Sequence, residues 1–251
     1  MLSRRRFLQL TGGAALAAWS PAQAGEARVD KLIEAASALP TISRRIDRIS
    51  RGLIGVRYRG YTLIGGPHRR ERFVLRDDGF DCVTYCETVL AAAIVRRAAA
   101  FAPVLRAIRY HHGVVEWRER NHYFFEWSAH NVANKTCRVI DMDGEVDIKK
   151  VVYWHKALGH RHFAMRVIPR PVFLANRGKL KTGDIVGFVT RRPNLDYFHI
   201  GFIAFGAKGE FLLRHASEHH GRVLDEPMPR FCTQNHVRYV TLLRPLEPAV
   251  A

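Results

Sequence analysis

Residues 198–217, FHIGFIAFGAKGEFLLRHAS, constrain the fold more than any other stretch of the chain. Two short apolar segments of β type flank Gly206-Ala207-Lys208-Gly209, a glycine-bearing loop of hairpin length. TGDIVGFVT before the run and RYVTLLRPL after it have the same character. Strands joined by such short connections pair antiparallel, so the last third of the chain predicts an antiparallel sheet.

The front of the chain reads differently. Residues 29–53 alternate apolar and charged positions at roughly helical spacing and are interrupted at Pro40, which predicts two amphipathic helices. Residues 56–74 carry Gly60, Gly65, Gly66 and Pro67 and read as a loop. CVTYCETVLAAAIVRRAAAF, residues 82–101, predicts a helix with Asp81 as its N-cap, and Pro103 a further helical turn. GVVEWRERNHYFFEW reads as extended and aromatic, and VDIKKVVYW as a strand or linker. Helices followed by an antiparallel sheet give an α+β fold. No repeat or low-complexity tract divides residues 25–251, which are long enough for one domain with a sizeable core.

The N-terminus reads as a leader over residues 1–24. Arg4, Arg5 and Arg6 precede a short, weakly apolar run that ends in Ala22-Gln23-Ala24, an A-x-A cleavage pattern before Gly25. Ser3-Arg4-Arg5-Arg6-Phe7-Leu8-Gln9 fits the twin-arginine export pattern. The run is too short to span a bilayer, and no later segment is long and apolar enough. The expectation is an exported periplasmic or cell-wall protein that meets the membrane only during export. The formal charge of +17 points to anionic partners in the envelope (peptidoglycan carboxylates, lipid head groups or acidic wall polymers) or equally to a soluble basic surface that needs no partner. The basic residues are scattered and no recognition motif accompanies them, which argues against nucleic acid.

Four cysteines, Cys82, Cys86, Cys137 and Cys232, are too few for a disulfide scaffold. Cys137 and Cys232 could form a bridge; Cys82 and Cys86, one helical turn apart, would be strained as a pair. Cys82 is the chemically interesting thiol. At the first turn of a helix, free N–H groups and the helix dipole favour a thiolate. Cys86 lies one turn deeper and reads as packing. A thiol nucleophile needs a base and the base an orienting group. His199 opens one strand of the expected hairpin and His215 ends the next, so the two can be neighbours, His199 as base and His215 as its support.

GFDCVTY, TGDIVGF, HIGFIAF and LLRHAS, in this order, resemble the successive signatures of NlpC-like papain-fold cysteine peptidases. The closer resemblance is to the N-acetylmuramoyl-L-alanine amidase-like branch. Asp81, Cys82, Val83, Thr84, Tyr85 and Glu87 match its Asp-Cys motif, Arg120, His122, Tyr123, Phe124 and Trp127 an aromatic segment, and Tyr58, Thr62 and Leu63 an approach segment. The resemblance implies a papain-like fold, a peptidoglycan or muropeptide substrate, no cofactor and no metal, and a Cys82–His199–His215 triad that cleaves an amide through a thioester. It implies an oxyanion held by the Cys82 N–H and the Tyr58 hydroxyl. Tyr58, Asp81, Arg120, His122 and Tyr123 become candidates for holding substrate, although an ion pair or aromatic packing would account equally for Arg120 and His122. Asp184 is expected to shape the turn before its strand, and Ser217 to satisfy a nearby backbone group. Cys86 stands where that family has an apolar residue.

Three other readings compete. His215, His219 and His220 have a spacing that zinc ligands use, but no H-E-x-x-H accompanies them. A basic exported module could bind wall without catalysis. The same fold could instead cut a γ-D-glutamyl-diamino acid bond.

Overall fold

In the computed structural model the chain is described over residues 23–153 and 155–248. The leader expected over residues 1–24 lies outside these, except for Gln23 and Ala24, which open the first helix. That helix, α1 (Gln23–Ala36), buries Val29, Ile33 and Ala36 at positions i, i+4 and i+7. In α2 (Ile42–Gly52) Thr41 caps the start by accepting from the Arg44 N–H, and Ile42, Ile46 and Ile49 form the buried stripe. These two are the helices expected on either side of Pro40.

Residues 56–74 are not all loop. They contain a short hairpin, β1 (Ile64–Gly66) and β2 (Arg69–Arg72). Its low apolar content hides it from a strand pattern. Gly65 makes it possible: a Cβ there would lie 1.7 Å from a Glu71 carboxylate oxygen, at a φ of +153°.

The central helix is α3 (Cys82–Ile94), buried from Thr84 to Ala93 on every face. It stops seven residues before the expected end at residue 101. Val95 turns extended, which brings the Arg96 guanidinium onto the Ser37 and Leu39 carbonyls of the α1–α2 connection. The chain resumes as α4 (Phe101–Arg109), which contains Pro103 in its first turn. Arg109 of α4 reaches Glu87 of α3 at 2.7 Å, both nearly fully buried. Glu87 of the Asp-Cys motif is therefore half of an ion pair inside the helical layer.

The aromatic segment expected to be extended is mixed: Val114, Glu116, Arg120 and Tyr123 have extended backbone, with Arg120 in a bridge to Tyr110, but its last four residues are helical. Single 3-10 turns at His111–Gly113 and Trp117–Glu119 lead into α5 (Phe124–Ala133). Phe124, Trp127 and Asn131 are its buried face, spaced i, i+3 and i+7. Half of that period lies beyond the end of the aromatic run, so the run alone does not display it.

The remaining elements are β3 (Cys137–Val139), β4 (Val146–Val152), β5 (Arg161–Pro169), α6 (Arg170–Ala175), β6 (Ile185–Val189), β7 (Tyr197–Phe205), β8 (Phe211–Ser217), β9 (Arg222–Pro227), α7 (Met228–Gln234) and β10 (Tyr239–Pro245). They build an antiparallel sheet in the order β4-β5-β10-β6-β7-β8-β9, with β3 also on β10. One apolar core joins α1–α5 to the sheet; a second lies among α6, α7 and the strands. The result is the α+β class expected. Cys137 belongs to the first core and Cys232 to the second, and all four cysteines are free thiols, so the possible Cys137–Cys232 bridge is not formed.

Candidate active site

The first turn of α3 is set by a reciprocal cap. Asp81 Oδ1 accepts from the Thr84 N–H at 2.7 Å, and Thr84 Oγ1 accepts from the Asp81 N–H at 3.0 Å. The Asp81 carboxylate is thus engaged in starting the helix. Cys82 follows as the first helical residue and keeps some solvent exposure, whereas Cys86 is fully buried.

The sulfur lies against β7. The backbone N–H of Ile200, the residue after His199, acts on it, as do those of Cys82 and Val83. These amides favour a thiolate, but burial outweighs them, Asp81 adds repulsion, and the thiol is pushed up to about 12. The helix start thus supplies the expected donors, and burial works against them.

The two histidines meet as the hairpin expectation requires. His199 Nε2 and His215 Nδ1 are 2.6 Å apart, with the rings nearly perpendicular. The register of β7 on β8 pairs Phe202 with Arg214; continued, it sets Gly201 opposite His215 and leaves His199 diagonal to it on the same face. Gly201 permits the approach, because a Cβ there would stand 3.0 Å from the His215 Cβ and 2.7 Å from Leu213 Cδ1. Phe188 and Phe231 wall the pair. Burial, then His215, hold His199 well below the ordinary histidine range. Burial, then His220, push His215 down to about 4, against an opposite pull from Asp225. Both rings are therefore neutral near pH 7. Among the described residues no hydrogen bond joins the Cys82 sulfur to either ring.

Behind His215 stands a carboxylate that the sequence did not announce. Glu226 Oε2 is 3.4 Å from His215 Nε2. The contact is within ion-pair range but off hydrogen-bond geometry, and Nε2 makes no other bond. Glu226 sits opposite Leu213 in the β8–β9 ladder, so only strand pairing brings it to His215. Arg214 stiffens the same ladder through Asp225 at 2.6 and 2.7 Å and Asp47 of α2 at 2.8 Å.

Tyr58 belongs to the site. Its backbone bonds Gly221, and its hydroxyl is pushed above the ordinary range by burial first, then by Cys82, Glu218 and Asp81, so it stays a proton donor. The other candidates gather elsewhere. Arg120 pairs with Glu71 at 2.9 Å, and Tyr110 shares that carboxylate. His122 Nε2 meets the Trp117 carbonyl at 2.7 Å, and Tyr123 is buried edge-on to Phe163. For Arg120 the ion-pair alternative is realised. Asp184 accepts from the Lys181 N–H at 2.7 Å, shaping the turn before β6, and also pairs with Arg244. Ser217 accepts from the His220 N–H. Among the described residues no group of three or more His, Cys, Asp or Glu side chains is placed to hold a metal.

Comparison with known proteins adds a family to this geometry. A protein of Legionella pneumophila from the family DUF1460 has a similar solved fold, with a TM-score of 0.76, 20% identity and coverage of 90% of this chain and 98% of that one. An N-acetylmuramoyl-L-alanine amidase of Bacteroides uniformis gives a TM-score of 0.66 at 22% identity over 79% of this chain and 97% of its own. A putative xylanase of Bacteroides fragilis gives 0.65 at 22% identity over 78% and 98%. No curated protein matches the sequence. The family model described as AmiA-like, N-acetylmuramoyl-L-alanine amidase-like, matches residues 48–238. That span takes in Tyr58, Cys82, His199, His215 and Glu226, and the chain belongs to this amidase-like family of hydrolases.

Proposed function

We propose that the protein hydrolyses the amide between the lactyl group of N-acetylmuramic acid and L-alanine in peptidoglycan, with Cys82 as nucleophile, on a papain-like, NlpC-type scaffold. The observation that carries the reading is the His199–His215 bond at 2.6 Å on the strand whose Ile200 N–H faces the Cys82 sulfur.

The tautomers follow from the acceptors. Glu226 facing His215 Nε2 favours the proton there, so His215 Nδ1 accepts from His199 Nε2–H. His199 Nδ1 then carries the lone pair. As the sulfur attacks the carbonyl carbon, the thiol proton passes to Nδ1. The oxyanion is held by the Cys82 N–H and the Tyr58 hydroxyl. The C–N bond breaks as His199 returns the proton to the alanine nitrogen, leaving a thioester on Cys82. Water attacks that thioester with His199 again as base, which frees the lactyl carboxylate and restores the thiol. The missing sulfur–imidazole bond suits a resting enzyme, since such bonds commonly tighten only with substrate in place.

The test is mass spectrometry of defined muropeptides after incubation. Release of a lactyl-bearing disaccharide with an intact peptide beginning at free L-alanine is expected. Shortened stems with the sugar amide intact would transfer the site to the γ-D-glutamyl-diamino acid bond. No product would leave a wall-binding module. The leader pattern at residues 3–9 extends the proposal to twin-arginine export into the periplasm: a reporter fused after Ala24 should be exported, and its export should fail when Arg4, Arg5 and Arg6 are all changed to Lys.

A further inference from the structure

Between the turns at residues 111–119, α5 and the start of β5 lies a cleft of about 350 Å³. Its charged lining is one-sided: Arg118, Arg120, Arg161, His111, His122 and His130 against one carboxylate, Glu126. A basic chain does not make every cleft so. The hollow at residues 141–147 has Asp141, Asp143, Glu145 and Asp147 facing only Arg166 and Lys179.

The guanidinium groups are unequally satisfied. Arg120 is neutralised by Glu71. Arg161 is half exposed and only loosely paired with Glu126, at 3.5 Å. Arg118 has no carboxylate within ion-pair distance among the described residues. Phe125, Ala129 and Leu158 supply apolar lining, and Phe125 is stacked on Phe163 behind it at 4.5 Å. No lysine lines the cleft; its free donors are planar guanidinium forks, which suit spaced, singly charged carboxylates better than a dianion.

We propose that this cleft binds carboxylates of a peptidoglycan stem peptide, with Arg118 and Arg161 as the principal contacts. The identity of the ligand rests on the amidase reading; the existence of an anion site does not.

Proton uptake should accompany binding. His122 is pushed down to about 4 by burial first and then by Arg120, His155 and Arg161. His111 is lowered by burial, then by His130 and His112, with Glu119 pulling the other way. An anion among these groups cancels the repulsion, so the rings protonate more readily when the cleft is filled and binding tightens as pH falls.

The test is calorimetric titration of the wild-type protein with the free tripeptide L-Ala-γ-D-Glu-diaminopimelate, which has no sugar amide to cleave. Controls are the same peptide with its carboxylates amidated, and inorganic phosphate. Saturable binding is expected, tighter at pH 5 than at pH 7 as the window approaches the His122 value of about 4, and absent for the amidated peptide. Arg118→Gln and Arg161→Gln should each weaken it about tenfold or more, while Cys82→Ala leaves it unchanged. If Arg161→Gln misfolds, Arg118→Gln decides. Unsaturable binding, equal binding by the arginine variants, equal binding of the amidated peptide or tighter binding of phosphate would each overturn the proposal. Muropeptide cleavage is scored separately, so binding without cleavage refutes the amidase reading alone, and cleavage without binding refutes this site alone.

Discussion

Two histidine pairs in this molecule look alike by ring distance and differ in what they can do. His199 and His215 have ring centroids 4.7 Å apart, and His111 and His130 4.6 Å, both edge to face. In the first pair nitrogen meets nitrogen at 2.6 Å and a carboxylate stands behind. In the second, the His130 Nε2 is spent on the Ala107 carbonyl at 2.8 Å, and no hydrogen bond between the rings is described. The diagonal of a β-ladder sets the nitrogens of one pair in line; the other pair is brought together by a 3-10 turn against a helix, which fixes ring faces instead. Nitrogen alignment, not proximity, separates the two pairs, and only the first has the geometry the proposed mechanism requires.

The largest expected effects test that contrast directly. On the proposed mechanism Cys82→Ser and His199→Ala should abolish measurable hydrolysis, because each would remove an atom that bonds to substrate or carries the proton. His215→Ala should be milder, with a loss of about 10⁴ as the upper expectation from analogous orienting groups. His111→Ala should keep kcat within about threefold, with any loss in KM. A His111 variant as damaged in kcat as His199→Ala would erase the distinction. So would a fully active Cys82→Ser.

The two pairs also set the pH behaviour. A thiol near 12 and a His199 well below its ordinary range mean that no thiolate–imidazolium pair exists at rest. The kcat/KM profile should lack an acid limb near pH 6.5, the ordinary histidine value, and stay level through neutral pH. A limb near 6.5 would mean that the rings are more solvated than the fold makes them. Stability, unlike activity, should fall on the acid side of neutral. His215, buried at about 4, is protonated in the unfolded chain before the folded one, so its stabilising margin is intact above about pH 6.5 and lost as pH falls toward 4. That loss is on the order of 2–3 kcal/mol, measurable as a falling Tm.

Glu226→Gln should have a smaller effect, about tenfold in kcat/KM. A role confined to packing would leave the pH profile in place. Removing the charge at Nε2 should instead lower the basicity of both rings, moving the acid limb to lower pH while the plateau falls. Asp225 and His220 also act on His215, the former raising and the latter lowering its proton affinity. Asp225→Asn therefore serves as the comparison, and an equal limb shift there would remove any special place for Glu226.

What the sequence displayed and what it hid follow from these same residues. The paired β7 and β8 runs are apolar and short-looped, so their hairpin, and with it the meeting of His199 and His215, is legible. Cys82 is legible because Asp81 and Thr84 write a cap. Glu226 is not: β9, RVLDEP, has too little apolar content to read as a strand, and its register on β8 exists only in three dimensions. β5 carries a period-2 pattern, with Phe163, Met165 and Val167 buried and Ala164 and Arg166 exposed between them, that the sequence reading passed over. The cationic cleft draws on separate turns, a helix and a strand, and no local pattern joins them. The end of the aromatic segment shows the reverse error: extended backbone holds at Arg120 and Tyr123, but from Phe124 on the β-favouring residues are overruled by a helical burial period.

The smallest expected effect concerns the second cysteine, one turn below the first. Cys86 is 0% exposed, and burial, with Cys82, Glu87 and Asp81 adding repulsion, pushes its thiol well above the ordinary range, so it neither ionises nor meets solvent. Its remaining contribution is volume in a helix packed on every face. Cys86→Val keeps the site apolar but adds a methyl group and a β-branch, each costing a few tenths of a kcal/mol, so a net loss below about 1 kcal/mol is expected with turnover unchanged. Cys86→Ala leaves a void instead and should cost about 1 kcal/mol, again without affecting turnover. Thermal unfolding and kcat measured on both variants separate the two cysteines. Lost turnover in a protein that melts like the wild type would show that chemistry extends one turn further into α3 than the exposure of Cys82 implies.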